Sequence, residues 1–372
     1  MNLDFSEDQK QLKEQARRML ADKCSSAAVR RVLEGEALYD AALWKTMGEM
    51  GFLGTAIPEE YGGLGIGHLE LCVLAEEMGR ALAPVPFSSS IYLAAEFITR
   101  AGSEAQKRAY LPKLASGALI GTFAFAEDAG KVTPATLAAR VGPQGLSGTK
   151  TPVPDGSIAD FAIVAAHDAE GAVGLYIVDL TGPGVARETV KTVDPTRNHA
   201  RIRFDNAPAA PLGEGGDGWA TILDVQNRAA VLIGFEQVGG ADRALEMARD
   251  YALERFAFGR QIGSFQGLKH MMADMYVSAT LARSNCYWGA WALSTDAGEL
   301  PEAAASARVS ATQAFMHCAK NNIQVHGGMG FTWQFDCHLY YRRANLLALS
   351  LGSLSTWEDR LVDQLRRKNA AA

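Results

Sequence analysis

Two short segments carry the residues best suited to hold a phosphorylated ligand: Arg255-Phe-Ala-Phe-Gly-Arg-Gln-Ile-Gly-Ser-Phe-Gln266 and, further along, Gln324-Val-His-Gly-Gly-Met-Gly330. A guanidinium presents a planar fork that matches phosphate oxygens, and paired glycines let backbone amides approach a pyrophosphate with no Cβ in the way. Gln266 and Gln324 add neutral donors. A glycine pair alone is usually a turn or a close helix contact, so the signal lies in the two segments occurring together and in this order.

Other chemistries find less to rest on. His167, His199, His270, His317 and His338 show no i, i+4 pairing with a carboxylate, which predicts no metal site. Ser88-Ser-Ser90 and Ser353 to Ser355 lack a neighbouring His and Asp pattern, so a hydrolase triad is not indicated. Gly62, Gly63, Gly65 and Gly67 do not form the G-x-G-x-x-G that follows a strand and opens a helix, which argues against a nicotinamide site. Cys24, Cys72, Cys286, Cys318 and Cys337 fall in no C-x-x-C spacing; with an odd count, they suggest a reducing, cytoplasmic setting.

The elements that must position these residues follow from periodicity. Residues 1–117 read as mostly helical, with helix-period apolar positions in Leu12 to Leu20, Leu69 to Leu82 and Ile91 to Ile98, and Ser6 with Gln9 as a capping box. From 118 to 213 the texture changes to short β-rich runs, Gly121 to Ala126, Phe161 to Ala166, Gly174 to Leu180 and Ala200 to Phe204, as in a small antiparallel barrel or sandwich. From 214 to 372 the helical pattern returns, and 222–254, 265–296, 301–325 and 337–368 read as four long helices of a bundle. A chain of 372 residues with 48% hydrophobic and 21% charged content has room for two or three domains. Its net charge of −6 gives no basic field for nucleic acid or anionic lipid. The opening residues show no basic start followed by an apolar run, so no secretory signal is expected, and no apolar stretch is long enough to span a bilayer.

Across essentially its whole length the chain resembles the acyl-CoA dehydrogenase family. The resemblance rests on the two segments above, on Ile57-Pro-Glu-Glu-Tyr-Gly-Gly-Leu-Gly65, on Glu76-Glu-Met-Gly-Arg-Ala-Leu82 and on Gly102-Ser-Glu-Ala-Gln-Lys-Arg-Ala-Tyr-Leu-Pro112. It implies a helical N-terminal domain, a middle β domain and a C-terminal four-helix bundle. It further implies FAD as cofactor, held by Arg255, Phe258, Gln266, Gln324, Gly327 and Gly328, an acyl-CoA substrate, and electron-transferring flavoprotein as acceptor. His326, inside the second segment, has two readings: a neighbour of the cofactor phosphates, or an imidazole bonded to backbone. Tyr340-Tyr-Arg-Arg343 resembles the helix before the family's active-site loop, its arginines touching CoA phosphates or simply facing water.

In this family a carboxylate removes the α-proton of the thioester while the β-hydrogen leaves as hydride to the flavin, so a desolvated base and a polarised carbonyl are required. The usual glutamate is replaced here: Leu349-Ser-Leu-Gly-Ser-Leu-Ser355 puts Leu351 at its position. Some relatives present the carboxylate from the first long helix of the C-terminal domain, which makes Glu236, in Gly234-Phe-Glu-Gln-Val-Gly-Gly240, the candidate base. A second reading stands beside it, because Glu236, Arg243 and Asp250 recur at sevens and suit a solvated charged stripe. The small residues around Glu236 suit either a wide acyl pocket or close helix packing. The family's ring-binding side chains are also missing, with Ala126, Val132, Pro152 and Pro154 in their places. This one-sided loss resembles the smaller subunit of two-subunit acyl-CoA dehydrogenases, where each FAD lies across a subunit interface. It leaves open a homotetramer or a heterotetramer with a second chain of the family. Alternatives are a non-catalytic subunit completing a partner's FAD site, and a flavin oxidase or monooxygenase on the same scaffold.

Overall fold

The computed structural model describes residues 6–128 and 130–371; the first five residues, Ala129 of the 125–132 segment and Ala372 lie outside the described residues. In chain order come α1 (Glu7–Lys23), α2 (Ser26–Leu33), α3 (Ala41–Glu49), α4 (His68–Ala81), α5 (Glu96–Ala101) and α6 (Glu104–Ala115). The strands are β1 (Gly121–Ala124), β2 (Arg140–Gly142), β3 (Gly145–Pro154), β4 (Phe161–His167), β5 (Val173–Asp179), β6 (Val185–Thr189), β7 (His199–Ala207) and β8 (Ala210–Pro211). Then follow α7 (Gly218–Glu254), a hairpin of β9 (Phe256–Ala257) and β10 (Arg260–Gln261), α8 (Gln266–Ser294), α9 (Leu300–His326), α10 (Cys337–Leu349) and α11 (Leu354–Ala371). No helix of the described residues is long and apolar enough to cross a membrane.

Residues 30–67 and 84–229 form one compact unit built around the sheet. Its strand order is β6-β7-β3-β2-β4-β5-β8, with β1 also on β4. The pairings are antiparallel except that β1 and β2 run parallel to β4. β4 is buried at every position, which is why Phe161-Ala-Ile-Val-Ala-Ala reads as an unbroken apolar run with no alternation. β3, Gly145-Leu-Ser-Gly-Thr-Lys-Thr-Pro-Val-Pro154, has no such signature and was not expected as a strand; its pairing with β7 holds it extended. Phe97 meets Phe123 at 4.5 Å between ring centroids and Phe123 stacks on Phe125 at 5.3 Å, fastening α5 to the sheet.

Residues 1–29, 68–83 and 230–372 form the second unit, helical apart from the β9–β10 hairpin. Ser6 caps α1 with the expected box, its hydroxyl accepting from the Gln9 amide while Gln9 Oε1 accepts from the Ser6 amide. α4 and α7 cross at backbone distance. A Cβ on Gly79 would overlap the carbonyl oxygen of Glu236, and one on Gly239 would overlap that of Glu76. Gly240 gives its space to the Phe315 ring and Gly234 to the Cys286 sulfur, so the small residues of this stretch are consumed by helix packing and do not widen a pocket.

The expected fourth long helix is two helices. Leu351 and Gly352 take left-handed φ values of +60° and +108°, which no helix can pass through, and α10 ends before them. The carbonyls of Leu347 and Ser350 both accept from Arg308 of α9, which replaces the amides that a continuing helix would have offered.

A charge network joins the helices of this unit. The Glu76 carboxylate, almost wholly buried, accepts from Lys13 of α1 and Arg283 of α8, each at 2.8 Å, and Arg283 also pairs with Asp242 of α7. Burial alone pushes Glu76 upward, yet Arg283 and Lys13 together hold it below its ordinary value. A carboxyl depressed in the folded state contributes stability above the ordinary carboxylate range, near about 4.3, and loses it as pH falls through the lower folded value. Glu76→Gln is expected to cost about 3 kcal/mol at neutral pH and to flatten the loss of stability between about pH 5 and 3, read from urea midpoints across that range.

Candidate functional site

The nucleotide-binding candidates gather at one end of the helical unit. Tyr251, in the last turn of α7, stacks on His326, in the last turn of α9, with ring centroids 4.1 Å apart, and Phe335 meets both rings edge-on. This aromatic group brings the start of the 255–266 segment beside the 324–330 segment. His326 is buried and its Nδ1 lies 2.9 Å from the Asn322 carbonyl oxygen, so the imidazole is tied to backbone. Burial lowers its basicity.

Phe258 and Gly259 form the two-residue turn of the β9–β10 hairpin, both at positive φ, as tight hairpin turns require. Arg260 lies 4.0 Å over the Phe265 ring and Phe258 meets the same ring edge-on, folding the hairpin tip over the start of α8. Phe258 is 95% exposed. Gln266 is the first residue of α8, where unpaired amides and the positive end of the helix dipole favour an anion. Arg255, Gln266, Gln324, Gly327 and Gly328 are all exposed. A Cβ built on Gly267, Gly327 or Gly328 meets nothing within 4 Å, so open space lies beyond these backbones. Gly330, in contrast, is fixed by packing, since its Cβ would strike the Ile323 carbonyl.

Glu236 lies elsewhere in the same unit, on the buried face of α7 with no exposed surface. The charged stripe therefore submerges along the helix: Asp250 is exposed, Arg243 half-buried and Glu236 enclosed, which removes the solvated-stripe reading. Next to it, Gln237 Oε1 accepts from Arg308 at 2.5 Å, and Thr312 Oγ1 accepts from the same nitrogen at 2.6 Å. Burial pushes the Arg308 guanidinium down to about 9, while Cys286 and Glu236 act to hold its charge. Arg343 is likewise buried and donates to the Leu82 carbonyl at 3.3 Å, and Tyr340 donates to the Arg80 carbonyl at 2.8 Å. Tyr340 and Arg343 are thus structural, and for Arg343 neither expected role, touching CoA phosphates or facing water, matches its burial. Sequence reasoning passed over Arg308; the available signal was one arginine set among Ala303, Ala304, Ala305, Ala307 and Ala311 on a buried helix face.

Comparison with known proteins decides the family. The description "Acyl-CoA dehydrogenase, N-terminal domain" matches residues 6–118, and "Acyl-CoA dehydrogenase, C-terminal domain" matches 216–357. The acyl-CoA dehydrogenase IpdE2 of Mycobacterium tuberculosis is 32% identical over 91% of this chain and 91% of its own length.

The chain belongs to the acyl-CoA dehydrogenase family.

It is similar in structure to the Tcur3481-Tcur3483 steroid acyl-CoA dehydrogenase, at 31% identity and a TM-score of 0.87 over 98% of this chain and 99% of that one. The ChsE4-ChsE5 complex of Mycobacterium tuberculosis gives a TM-score of 0.90 at 27% identity, with 98% and 99% covered. As a member of this family the protein is an FAD-dependent oxidoreductase of acyl-CoA thioesters. The open glycine backbones, the arginine and the helix N-terminus fit the phosphates of that cofactor.

The segments that the resemblance places at the flavin ring offer less. The Thr151 amide donates to the Ala126 carbonyl at 2.8 Å, so that backbone group serves the loop itself. Ala126, Val132, Pro152 and Pro154 offer no side-chain donor. Glu127 accepts from the amides of Ala138 and Ala139 at 2.6 and 2.9 Å and from Lys150 Nζ at 2.7 Å. Lys150 is fully enclosed, and burial pushes it down to about 8 even with Glu127 acting to raise it. Glu127 thus pins the 125–139 loop to β3. Glu127→Ala strips the acceptor from three donors, one of them a buried ammonium. It is expected to cost about 3 kcal/mol and to open the 125–139 loop to a protease before the rest of the chain unfolds, as read by timed digestion.

Proposed function

We propose that this chain is the flavin-phosphate-binding subunit of a two-chain acyl-CoA dehydrogenase, acting on a CoA ester of the steroid type. The observation that carries the reading is the one-sidedness of the cofactor residues. Arg255, Phe258, Gln266, Gln324, Gly327 and Gly328 are exposed and ready to meet the phosphate and adenine end of FAD. On the ring side, Glu127 is committed to its own loop and the neighbouring side chains donate nothing. The names of two relatives of similar fold pair two different chains, one called a complex and the other a steroid enzyme, which supports an assembly with a second chain, a heterotetramer in this reading, over a homotetramer. Electron-transferring flavoprotein is the acceptor in this reading, and a cytoplasmic setting suits five buried, unbridged cysteines. The 117/118 and 213/214 boundaries are retained as the domain division, following the change from helix to strand and back.

Bound FAD supplies the hydride acceptor. Arg255 would meet phosphate oxygens, while Gln266 at the head of α8 and the Gly327-Gly328 amides would offer the neutral donors. Glu236 is assigned as the carboxylate that takes the α-proton. It is fully enclosed and lies beside the Arg308 guanidinium.

The test uses this chain co-expressed with a second family member carrying the usual ring-binding residues. About one FAD per pair of chains, with a colourless product from this chain alone, is the expected result; a yellow tetramer with one FAD per chain from this chain alone sinks the two-chain reading. Arg255→Ala with Gln324→Ala should lower flavin content at least tenfold with the thermal midpoint unchanged. Glu236→Gln should abolish thioester-dependent flavin bleaching while flavin is retained; bleaching at the native rate would remove Glu236 as base and leave this chain non-catalytic.

A further inference from the structure

We infer that Arg308 is a positioning residue, which fastens the loop between α10 and α11 to α7 at the point next to Glu236. The inference deepens the function proposed above, because that loop holds Leu351 where most of the family keeps its base.

Arg308 is 1% exposed and its guanidinium works in two directions. One nitrogen, Nη1, donates to Gln237 of α7 and to Thr312 of its own helix. The other, Nη2, donates to the carbonyls of Leu347 and Ser350. The Thr312 hydroxyl also lies within 3.3 Å of both Gln237 side-chain atoms and donates to the Arg308 carbonyl at 2.7 Å, so the three residues form one cluster. The fork therefore spans three helices and the loop start.

What the loop does with this support is visible in its backbone. Leu351 sits at φ +60°, a conformation that strains an L-residue with a side chain, and Gly352 follows at +108°, which glycine adopts freely. A strained residue at a helix end persists only if its surroundings over-determine it. Ser350, the residue immediately before Leu351, is where Arg308 attaches. The amide of Ser350 is spent on α10, reaching the Leu346 and Leu347 carbonyls at 3.2 Å, so the carbonyl side is the one left for an outside donor. The far end of the loop is seated by burial, with Trp357 of α11 fully enclosed. A lysine in place of Arg308 has one nitrogen and cannot reach both the Gln237 side and the Ser350 side, whereas the fork can.

The distinguishing experiment compares the wild type, Arg308→Gln and Arg308→Lys in the assembled, flavin-loaded enzyme. Amide hydrogen exchange at Leu351, Gly352 and Ser353 should accelerate at least tenfold in Arg308→Gln and by an intermediate factor in Arg308→Lys. α8 and the middle of α9 should stay at wild-type rates. The turnover number per bound flavin should fall at least tenfold in Arg308→Gln and be partly restored in Arg308→Lys. Unchanged exchange in the loop, or acceleration spread evenly over α7 to α11, overturns the inference by reducing Arg308 to general bundle support. Accelerated loop exchange with unchanged turnover overturns its functional half. If Arg308→Gln does not accumulate as folded protein, Arg308→Lys carries the same comparison. Failure of the base assignment is read separately: Glu236→Gln that retains turnover removes Glu236 from the chemistry without altering the exchange result at Leu351 to Ser353.

Discussion

The helical unit depends on one contact, the crossing of α4 and α7 at Gly79 and Gly239. Each glycine admits the other helix's carbonyl into the space a methyl group would fill. Because the approach is reciprocal, the register of the two helices is fixed to a single residue. Everything carried on the two faces follows from it: Glu76 reaches both Lys13 and Arg283, Arg80 reaches Glu246, and Glu236 points away from water toward the helices behind it. A close crossing leaves no slack for water, so the polar groups beside it must find partners within the protein. The ion network around Glu76 and the fork of Arg308 are two such answers.

Much of the architecture was legible because it is written in period and punctuation. The capping box at Ser6 and Gln9, the apolar run of β4 and the return of helical period after Gly218 are each local signals with a local cause. The break at Leu351 was not expected as the end of a helix, because leucine is an ordinary helix former and its left-handed conformation is imposed by tertiary bonds to Leu347 and Ser350. β3 was missed for the same kind of reason. Its glycines and prolines favour turns, and only pairing with β7 makes it a strand.

The site divides along a similar line. Exposed residues keep a pattern that is readable in one dimension, since nothing inside the protein competes for them; Arg255, Gln324 and the glycine pair, proposed above to hold the cofactor, are of this kind. Buried polar residues do not. Arg308 and Lys150 look on paper like surface charges, and their meaning comes wholly from partners distant in the chain, Gln237 and Ser350 for the first and Glu127 for the second. Glu236 was put forward because some relatives carry a carboxylate on this helix, and the glycines around it serve Glu76, Phe315 and Cys286.

The hairpin tip has a kinetic meaning. Phe258 stands almost fully in solvent at a positive φ, with its ring edge already set against Phe265 and its neighbour Arg260 laid over the same ring. A flexible loop would have to lose backbone freedom at about 1–2 kcal/mol per residue when it closed on another molecule. Here the two-residue turn has paid that entropy during folding. An encounter at this tip begins with a rigid aromatic edge, so its rate is set by how often the other surface arrives in the right orientation, and not by waiting for the loop to take shape.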